Sequence, residues 1–375
     1  MAKRILVSST DLMMVQFLLP HVKHLSENGY IVDIACSNVG ERVNEIKEKT
    51  AGVINAFHLI GTVRSPFSLK NIKGYKDMKK VIAEGDYDYV WTNEPVMGVV
   101  TRLAARKKRK QKALKVLYMA HGFHFYKGAS IINWLLFYPI EYLASFITDM
   151  LVTINIEDFE RSKKLHAKKT EYIHGIGINT ERLSKIGKTD IRKELGLSKD
   201  DFLVLSVGEL NKNKNQKVII KALGEIKDDN IHYILCGKGA EKENLENLAK
   251  ECGIYNNVHF LGYRKDVVDI CTNADVFVMP TYREGLGLAA LEAMYCSLPI
   301  IGSNNRGLKD IVIENESGYL CNADDYKAFA QATLKMNENK EKRIAFGRKG
   351  KEIAFSYEID NVKKEVLDLL TDLGD

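Results

Sequence analysis

Short apolar runs alternate with longer segments of helical spacing along the whole chain. The apolar runs predict strands at residues 4–8, 31–36, 53–59, 89–92, 115–120, 151–153, 171–173, 203–207, 232–236, 258–261, 276–279, 300–301 and 318–320. The segments between them predict helices, such as those at 17–28, 215–227, 241–252 and 288–296. Apolar strands that alternate with helices are typical of parallel sheets with crossover helices. The sequence therefore predicts an α/β fold.

The alternation pauses once, near the middle of the chain. Residues 175–179 read Gly-Ile-Gly-Ile-Asn, and a polar stretch continues to Asp190 before a new strand follows Asp201. The 375 residues are enough for two domains of roughly 100–200 residues each. We therefore predict one domain at 1–185 and a second at 186–355. The last segment, 356–375, is amphipathic and predicts a separate C-terminal helix.

Composition excludes several classes of protein. The chain is 45% apolar and 28% charged, which is ordinary for a globular protein with packed cores. Its six cysteines are scattered and form no C-x-x-C pair, so we expect reduced thiols rather than disulfides or a zinc site. The first residues predict a strand rather than a secretory signal, and no window supplies the ~20 apolar residues of a spanning helix.

The segment 283–301 carries the most chemistry. Glu284 and Glu292 lie on either side of a Gly-Leu-Gly-Leu turn, which follows the strand-like run 275–280 and precedes an apolar helix. If that helix begins near Leu286, the amides of residues 286–288 point out of its N-terminus, where unpaired donors and the helix dipole suit a phosphate. Two carboxylates beside a bound diphosphate fit a sugar nucleotide. Taken alone, the same pattern also fits a plain strand-to-helix turn.

In context, residues 275–294 resemble the E-x7-E signature of the retaining glycosyltransferases of family four. The resemblance extends over nearly the whole chain. It implies the GT-B fold, in which two Rossmann-like domains face a central cleft and the C-terminal helix crosses back to the first domain. It also implies that Glu284 contacts the donor sugar and Glu292 the ribose, with Gly285, Leu286, Gly287 and Leu288 beside the diphosphate. Family members need no metal or other cofactor, so none is expected here.

A second loop is expected on the phosphate side of the site. In residues 206–216, Gly208 permits a close backbone approach, and Lys212 and Lys214 offer cations after a strand. Lys214 matches the family's diphosphate-binding lysine, whereas Glu209 stands where the family usually has an arginine. The positive charge that this arginine usually supplies would then come from Lys214 and the helix amides, and in part from Lys212. Further along, Arg264 lies in a segment that resembles the nucleotide-base contact, although it is equally the pattern of a surface arginine.

The first domain supplies the expected acceptor side. His121 follows the strand 115–120, and Gly122 allows a tight turn there. By resemblance, His121 contacts the donor sugar, and His124 is the second choice; the alternative is an ordinary buried histidine among aromatic residues. The family's glycine-rich loop after the first strand has no glycine here, so Ser9 and Thr10 are the expected polar contacts with the acceptor.

Charge and apolar residues are unevenly placed in the first domain. Residues 95–140 contain no Asp or Glu, eight Lys or Arg residues lie within 102–115, and 131–146 is apolar and aromatic. Such a combination suits an anionic lipid surface; the alternative is a buried helix beside a solvated helix end. The segment also resembles bacterial enzymes that build capsule, exopolysaccharide or lipopolysaccharide units on polyprenyl diphosphate. We therefore expect a cytoplasmic protein, peripheral on the inner face of the membrane through residues 102–146.

The sequence thus predicts a retaining, metal-independent hexosyltransferase. It would move a sugar from a nucleoside diphosphate, with UDP favoured, to a glycan or polyprenyl-diphosphate-linked acceptor. The alternatives are a GT-B epimerase acting on a UDP-sugar, a phosphorylase-like transfer to phosphate, and a non-catalytic protein that binds membrane or nucleic acid. Nucleic acid is not expected as a partner, because acidic residues are evenly spread outside 95–140. Asp86-Tyr-Asp88 spells a metal-binding D-x-D motif but is interpreted as a turn before a strand.

Overall fold

The computed structural model describes residues 2–374. Each of the predicted strands is present, and the predicted and observed ends coincide or differ by no more than three residues. The chain divides into two compact units, which are Met1–Gly177 with Ile359–Asp375, and Ile178–Glu358. The second unit begins at Ile178 rather than at 186, because the short helix Thr180–Leu183 packs on the signature helix of that unit.

The first unit is built on a parallel sheet of seven strands in the described residues, in the order β3-β2-β1-β4-β5-β6-β7. Its strands are β1 (Arg4–Asp11), β2 (Ile31–Val39), β3 (Ala56–Leu59), β4 (Tyr89–Asn93), β5 (Lys115–Ala120), β6 (Met150–Thr153) and β7 (Lys169–Tyr172). Its crossover helices are α1 (Leu12–Glu27), α2 (Val43–Thr50), α3 (Lys70–Glu84), α4 (Pro95–Lys110), α5 (Ile131–Ser145) and α6 (Ile156–Ser162). The central strands are buried on both faces, as their continuous apolar runs predict.

The second unit repeats this plan with six strands among its described residues, in the order β10-β9-β8-β11-β12-β13. The strands are β8 (Phe202–Val207), β9 (Ile231–Cys236), β10 (Val258–Gly262), β11 (Val276–Met279), β12 (Ile300–Ser303) and β13 (Gly318–Cys321). Its helices are α7 (Thr180–Leu183), α8 (Ile191–Leu195), α9 (Lys217–Ile226), α10 (Lys242–Glu251), α11 (Val267–Asn273), α12 (Leu288–Tyr295), α13 (Arg306–Lys309), α14 (Tyr326–Glu338) and α15 (Lys340–Phe355).

The last helix, α16 (Ile359–Gly374), belongs to the first unit. Its apolar face, which includes Val362 and Val366, is buried, and the helix packs against α1 and β5. Polar contacts also attach this helix to the first unit. The His174 ring lies 2.6 Å from Glu365, and Lys169 pairs with Asp372 at 2.8 Å. The amphipathic C-terminal segment therefore returns to the first unit, as the resemblance implied.

Both sheets reverse their strand order at one place. In the first sheet the reversal lies between β1 and β4, and in the second between β8 and β11. Crossover connections run to opposite sides from such a point, which leaves a crevice at the carboxyl ends of the two strands. The loops after β1 and β4, and those after β8 and β11, are therefore the places where each unit can hold a ligand.

The start of the first crevice differs from the prediction. A loop was expected over residues 8–14, with the helix beginning near Phe17. Instead β1 runs to Asp11 and α1 begins at Leu12, because the Asp11 side chain accepts a hydrogen bond from the Met13 amide and caps the helix. Ser9 and Thr10 consequently lie within the strand.

Candidate functional site

Three loops at the carboxyl ends of β8, β11 and β12 are tied together in the second unit. The Asn213 side-chain amide donates to the Arg283 carbonyl at 3.0 Å, and the Tyr282 amide donates to the Asn213 carbonyl at 2.9 Å. Asn305 donates to the Thr281 carbonyl at 2.9 Å. These side-chain amides fix the loops relative to each other. They were not predicted, because their spacing in the sequence gives no sign of the contacts.

Lys214 and Glu284 meet at this junction. The Nζ of Lys214 lies 2.8 Å from Oε2 of Glu284, and the two side chains are 24% and 20% exposed. The cation expected at the diphosphate and the carboxylate expected at the sugar are therefore within hydrogen-bonding distance of each other. Two residues 70 positions apart in the chain reach one place because their strands are neighbours in the sheet.

The path of Lys214 explains the role of Gly208. Gly208 has a φ of +150°, and a Cβ built on it would lie 3.7 Å from Cε of Lys214. Its carbonyl is so close to Gly237 that a Cβ there would lie 1.8 Å from the oxygen. The backbone is thus closely packed at the end of β8, and the Lys214 side chain passes over Gly208 towards Glu284.

Arg306 adds a second cation that the sequence analysis missed. It is buried, with 5% of its surface exposed, and its Nε donates to the Glu284 carbonyl at 3.4 Å. Arg306 opens α13, directly after the capping residue Asn305. The sequence signal was available, since this loop follows a strand of the same sheet and resembles the family's loop after the signature helix.

The signature helix begins at the first residue of the predicted helix 288–296, two residues after the start near Leu286 that the phosphate hypothesis assumed. α12 starts at Leu288, and Gly287 is its N-cap with a φ of +89°, a conformation that favours glycine. Leu286 was expected at the helix start but lies in the loop, where it is buried beside Gly285. Among residues 2–374, no protein acceptor pairs with the amides of Leu286, Gly287 or Leu288. These donors are unpaired, as the phosphate hypothesis requires.

Glu292 lies in the second turn of α12 and forms an ion pair with Arg182 of α7. Burial raises the pKa of Glu292, and the neighbouring Arg182 opposes that shift. The Arg182 side chain is half exposed, whereas that of Glu292 is 31% exposed. The carboxylate is therefore held by a partner that the sequence analysis did not identify, since nothing in the region before Asp190 marks Arg182.

Three other expected donor contacts have different surroundings. Glu209 is exposed and accepts a hydrogen bond from the Asn211 side chain at 2.9 Å. Lys212 is exposed and lines a hollow that also includes Glu241 and Leu245. Neither residue is in contact with the Lys214–Glu284 pair.

Arg264 is engaged by acidic side chains. Its guanidinium contacts both oxygens of Glu194, at 2.7 and 3.0 Å, and both oxygens of Asp266, at 2.8 and 2.7 Å. These two carboxylates raise the pKa of Arg264, and Arg264 lowers that of Asp266. The expected nucleotide contact stays a prediction, and this pairing counts against it because the arginine charge is already neutralised.

In the first unit, His121 follows β5 and faces Asn93 at the end of β4. Its Nε2 donates to Oδ1 of Asn93 at 2.8 Å, and the Asn93 amide donates to the Ser8 carbonyl at 3.3 Å. Burial lowers the pKa of His121 to about 4. The ring is therefore neutral at pH 7, with Nδ1 left as an acceptor. Gly122, with a φ of +135°, makes the tight turn that was predicted.

The burial of Ser9 and Thr10 counts against their predicted roles as contacts of the acceptor. Ser9 is 1% and Thr10 2% exposed. The Ser9 hydroxyl donates to the Asp11 carbonyl at 2.9 Å, and the Thr10 hydroxyl accepts from the Met97 amide at 3.2 Å. Both hydroxyls are used inside the protein, because β1 continues through them instead of opening into a loop.

Glu94 occupies the first crevice in their place. Its Oε2 accepts hydrogen bonds from the amides of Thr10 and Asp11, at 2.7 and 3.0 Å. Burial raises the pKa of Glu94 to about 7, while the bond from Thr10 opposes the rise. Its φ of +65° is unusual for a residue other than glycine. Glu94 was not among the predicted site residues, although it directly follows a buried strand.

The apolar segment is a surface helix, so the buried-helix alternative is wrong. In α5, Ile131, Leu135 and Leu143 are 77%, 69% and 68% exposed. No helix in the described part of the chain is both long and apolar enough to cross a bilayer. His124, the second acceptor-side candidate, stacks on Phe137 of α5 with a centroid distance of 4.4 Å.

The basic stretch beside α5 is partly neutralised. Arg102 is fully buried and pairs with Glu141 at 2.9 Å, and Arg109 pairs with Asp149 at 2.9 Å. Fewer than the eight cations counted in the sequence therefore face solvent. The exposed ones are concentrated at the end of α4, between Arg106 and Lys112.

The D-x-D sequence lies at the start of β4, as interpreted. Asp88 accepts a hydrogen bond from the Arg4 amide at 2.7 Å, and Asp86 pairs with Lys108 at 3.5 Å. Over residues 2–374, no group of three or more acidic, histidine or cysteine side chains is arranged to hold a metal ion. All six cysteines are free thiols.

Comparison with known proteins covers both units. Residues 187–353 match the family described as glycosyl transferases group 1, and residues 5–155 match glycosyl transferase 4-like. EpsD of Bacillus subtilis (strain 168), which has a provisional glycosyltransferase name, is 37% identical over 98% of this chain and 96% of its own. The UDP-Gal:alpha-D-GlcNAc-diphosphoundecaprenol alpha-1,3-galactosyltransferase of Escherichia coli is 25% identical over 93% and 91%.

Solved structures agree on the fold. The Anabaena protein Alr3699/HepE, solved with UDP and glucose, superposes with a TM-score of 0.80 at 18% identity, covering 99% of this chain and 100% of that one. WaaG, a glycosyltransferase involved in lipopolysaccharide biosynthesis, superposes with a TM-score of 0.71 at 18% identity, over 98% and 99%. The loops described above therefore belong to a known architecture. The chain is a member of the group 1 glycosyltransferases and has the GT-B fold.

Proposed function

We propose that this glycosyltransferase moves a hexose from a UDP-sugar, with retention at the anomeric carbon. The acceptor would be a glycan or polyprenyl-diphosphate-linked sugar in bacterial surface polysaccharide synthesis. Two relatives support this choice of substrates, since their names specify undecaprenyl-diphosphate-linked sugars as acceptors. The name of one of them also specifies UDP-galactose as donor.

The contact between Lys214 and Glu284 is the observation that carries the proposal. A sugar nucleotide places its diphosphate directly beside its sugar, so the groups that recognise the two parts must also be adjacent. A cation and a carboxylate 2.8 Å apart, next to unpaired backbone amides, meet that requirement. A structural ion pair alone would not need the open amides of residues 286–288.

In this mechanism the protein mainly stabilises the departing diphosphate. Lys214 and the amides at the start of α12 would hold the charge that develops on the phosphate oxygen as the glycosidic bond breaks. Glu292 would accept hydrogen bonds from the ribose hydroxyls. Because this positive charge comes from the protein, we propose that no metal or other cofactor is required.

Glu284 and His121 are assigned as sugar-positioning groups rather than as a nucleophile or general base. Neutral His121 has its Nδ1 available to accept a hydrogen bond from a sugar hydroxyl. Asn93 fixes this tautomer, because its Oδ1 accepts a hydrogen bond from the protonated Nε2. Retention itself is inferred from family membership.

We further propose that the enzyme is peripheral on the inner face of the cell membrane. The exposed apolar face of α5 and the basic end of α4 lie on contacting helices of the first unit. A polyprenyl-linked acceptor remains in the bilayer, so an enzyme attached to the membrane surface would meet it there.

A donor screen tests the proposal. The protein is heated with UDP, GDP, TDP or no nucleotide, and each UDP-sugar is then incubated with a membrane extract whose products are analysed by mass spectrometry. We expect stabilisation by UDP and a mass increase of one hexose in the lipid fraction, which EDTA does not prevent. Interconversion of free UDP-sugars without transfer would instead support an epimerase, and tight nucleic-acid binding without a nucleotide response would support a binding protein.

A further inference from the structure

The first unit contains an apolar cavity that the proposed reaction does not yet use. It has a volume of about 370 Å³ and lies between residues 66–72, α4 and α5. Val96, Val99 and Leu103 line it from α4, and Phe137 and Ile140 line it from α5. The cavity belongs to the first unit, whereas the loops assigned to the donor belong to the second.

The rim of this cavity is unusually apolar for a surface in water. Phe67, Leu69 and Ile72 are 65%, 82% and 55% exposed. Across the opening, Ile140 belongs to the same helix as the exposed Leu135 and Leu143. The cavity therefore continues an exposed apolar surface instead of forming an isolated packing defect.

A polar hollow adjoins the cavity. It has a volume of about 180 Å³ and shares Pro95, Val96, His124 and Phe137 with the apolar cavity. Thr10, Arg64 and Glu94 also line it. Arg64 pairs with Asp11, but 69% of its side chain is exposed, so a diphosphate can compete with Asp11 for the guanidinium. An apolar compartment thus passes directly into a polar one that contains a cation.

We propose that this cavity binds the hydrocarbon chain of a lipid diphosphate acceptor, with the diphosphate beside Arg64 in the adjoining hollow. The proposal rests on the proposed function, since it names the part of the acceptor that the first unit holds. The order of the two compartments matches the order of the ligand, hydrocarbon and then diphosphate. Arg64 provides the charge complementarity for such a ligand.

Binding of farnesyl diphosphate to the full chain tests the proposal, with inorganic diphosphate as the probe without a chain. We expect saturable binding of farnesyl diphosphate by titration calorimetry, and at least tenfold weaker binding of inorganic diphosphate. Val99→Trp fills the cavity and should weaken farnesyl diphosphate at least tenfold. Leu19→Trp is the matched control, because Leu19 lines a different hollow of the same unit.

A second variant covers the case in which Val99→Trp does not fold. Leu69→Glu changes an exposed rim residue and should also weaken farnesyl diphosphate at least tenfold, without lowering the melting temperature. Equal binding of both probes, or unchanged farnesyl diphosphate binding in folded Val99→Trp and Leu69→Glu, would overturn the proposal. UDP stabilisation is measured on each variant in parallel. If UDP does not stabilise the unsubstituted protein, that result would count against the proposed function instead, because the proposed nucleotide site lies in the second unit.

Discussion

The ammonium of Lys214 lies 2.8 Å from the carboxylate of Glu284, at the carboxyl ends of two neighbouring strands. Each of these groups is partly exposed, and each satisfies the other when no ligand is bound. A diphosphate that binds at α12 would compete with Glu284 for the same ammonium. We expect donor binding to shift Lys214 towards phosphate and to leave Glu284 free to accept sugar hydroxyls.

Replacing Lys214 should therefore affect chemistry more than nucleotide affinity. We expect Lys214→Ala to lower kcat by about 10²–10³-fold, comparable to the loss of one oxyanion-stabilising group, with a smaller change in the Kd for UDP. Steady-state transfer kinetics and calorimetry measure the two quantities. Lys212→Ala is the control, since Lys212 is exposed and lies apart from Glu284; similar losses in both variants would contradict the assignment.

Glu292 is expected to bind the ribose, and Arg182 to hold its carboxylate in place. Glu292→Ala should weaken UDP binding by about 1–3 kcal/mol, because the ribose hydroxyls lose a charged acceptor. Arg182→Ala should weaken it less, by about 0.5–1 kcal/mol, since the half-exposed ion pair is screened by water. Calorimetry with UDP, and with a uracil analogue that lacks the ribose, measures the change in affinity. Glu316→Ala, an exposed substitution in the same unit, should leave affinity unchanged, and equal UDP affinity in Glu292→Ala would refute the ribose role.

Arg264 should matter for stability rather than for the nucleotide. Because it is bound by Glu194 and Asp266, Arg264→Ala leaves two carboxylates facing each other without a cation. We expect a loss of about 1–2 kcal/mol in the free energy of unfolding, with UDP affinity within twofold of the unsubstituted protein. Denaturant unfolding and calorimetry measure these, with exposed Lys265→Ala as the control. A large fall in UDP affinity at unchanged stability would restore the original nucleotide-binding hypothesis.

Glu94 should make stability depend on pH in a specific direction. Its folded pKa of about 7 lies above the ordinary value of 4.5, so the folded state holds the proton more strongly than the unfolded state does. Its contribution is fully present below pH 4.5 and is lost as the pH rises to 7. Glu94→Gln removes this loss. The free energy of unfolding of the variant, relative to that of the unsubstituted protein, should therefore rise by about 3 kcal/mol between pH 4.5 and 8, at roughly 1.4 kcal/mol per pKa unit.

Unfolding by urea across that pH range measures the difference between the two proteins. His121, whose pKa is lowered to about 4, affects stability in the opposite direction, because its stabilising contribution is lost as the pH falls from 6.5 to 4. This change is the same in both proteins. The comparison of Glu94→Gln with the unsubstituted protein cancels that effect. A difference that does not vary with pH would show that Glu94 is ionised throughout.

Membrane attachment should depend on α5. Leu135→Glu together with Leu143→Glu places two charges on its exposed apolar face, and should reduce sedimentation with vesicles that contain anionic lipid by at least tenfold. Ile344→Glu is the control, because Ile344 is 55% exposed but lies in the second unit. Equal sedimentation of the α5 variant and the control would mean that α5 does not contact lipid.

Local patterns in the sequence determined the secondary structure and the main ligand hypothesis. The strands Lys115–Ala120 and Val276–Met279 were predicted to the residue, because strands buried in a parallel sheet must be continuously apolar. Glu284 and Glu292 could be proposed together because both lie within one strand-turn-helix segment. Their spacing alone fixes one on the loop and the other in the second turn of the helix.

Only the tertiary structure decided which distant residues share a site. Lys214 meets Glu284, and Arg182 meets Glu292, because strand order and loop packing bring together segments 70 and 110 positions apart. Ser9 and Thr10 lie in a strand instead of the expected loop because a single capping side chain, Asp11, starts the helix early. The sequence records which side chains can bind, pair or cap; their partners depend on distances that exist only once the sheets have formed.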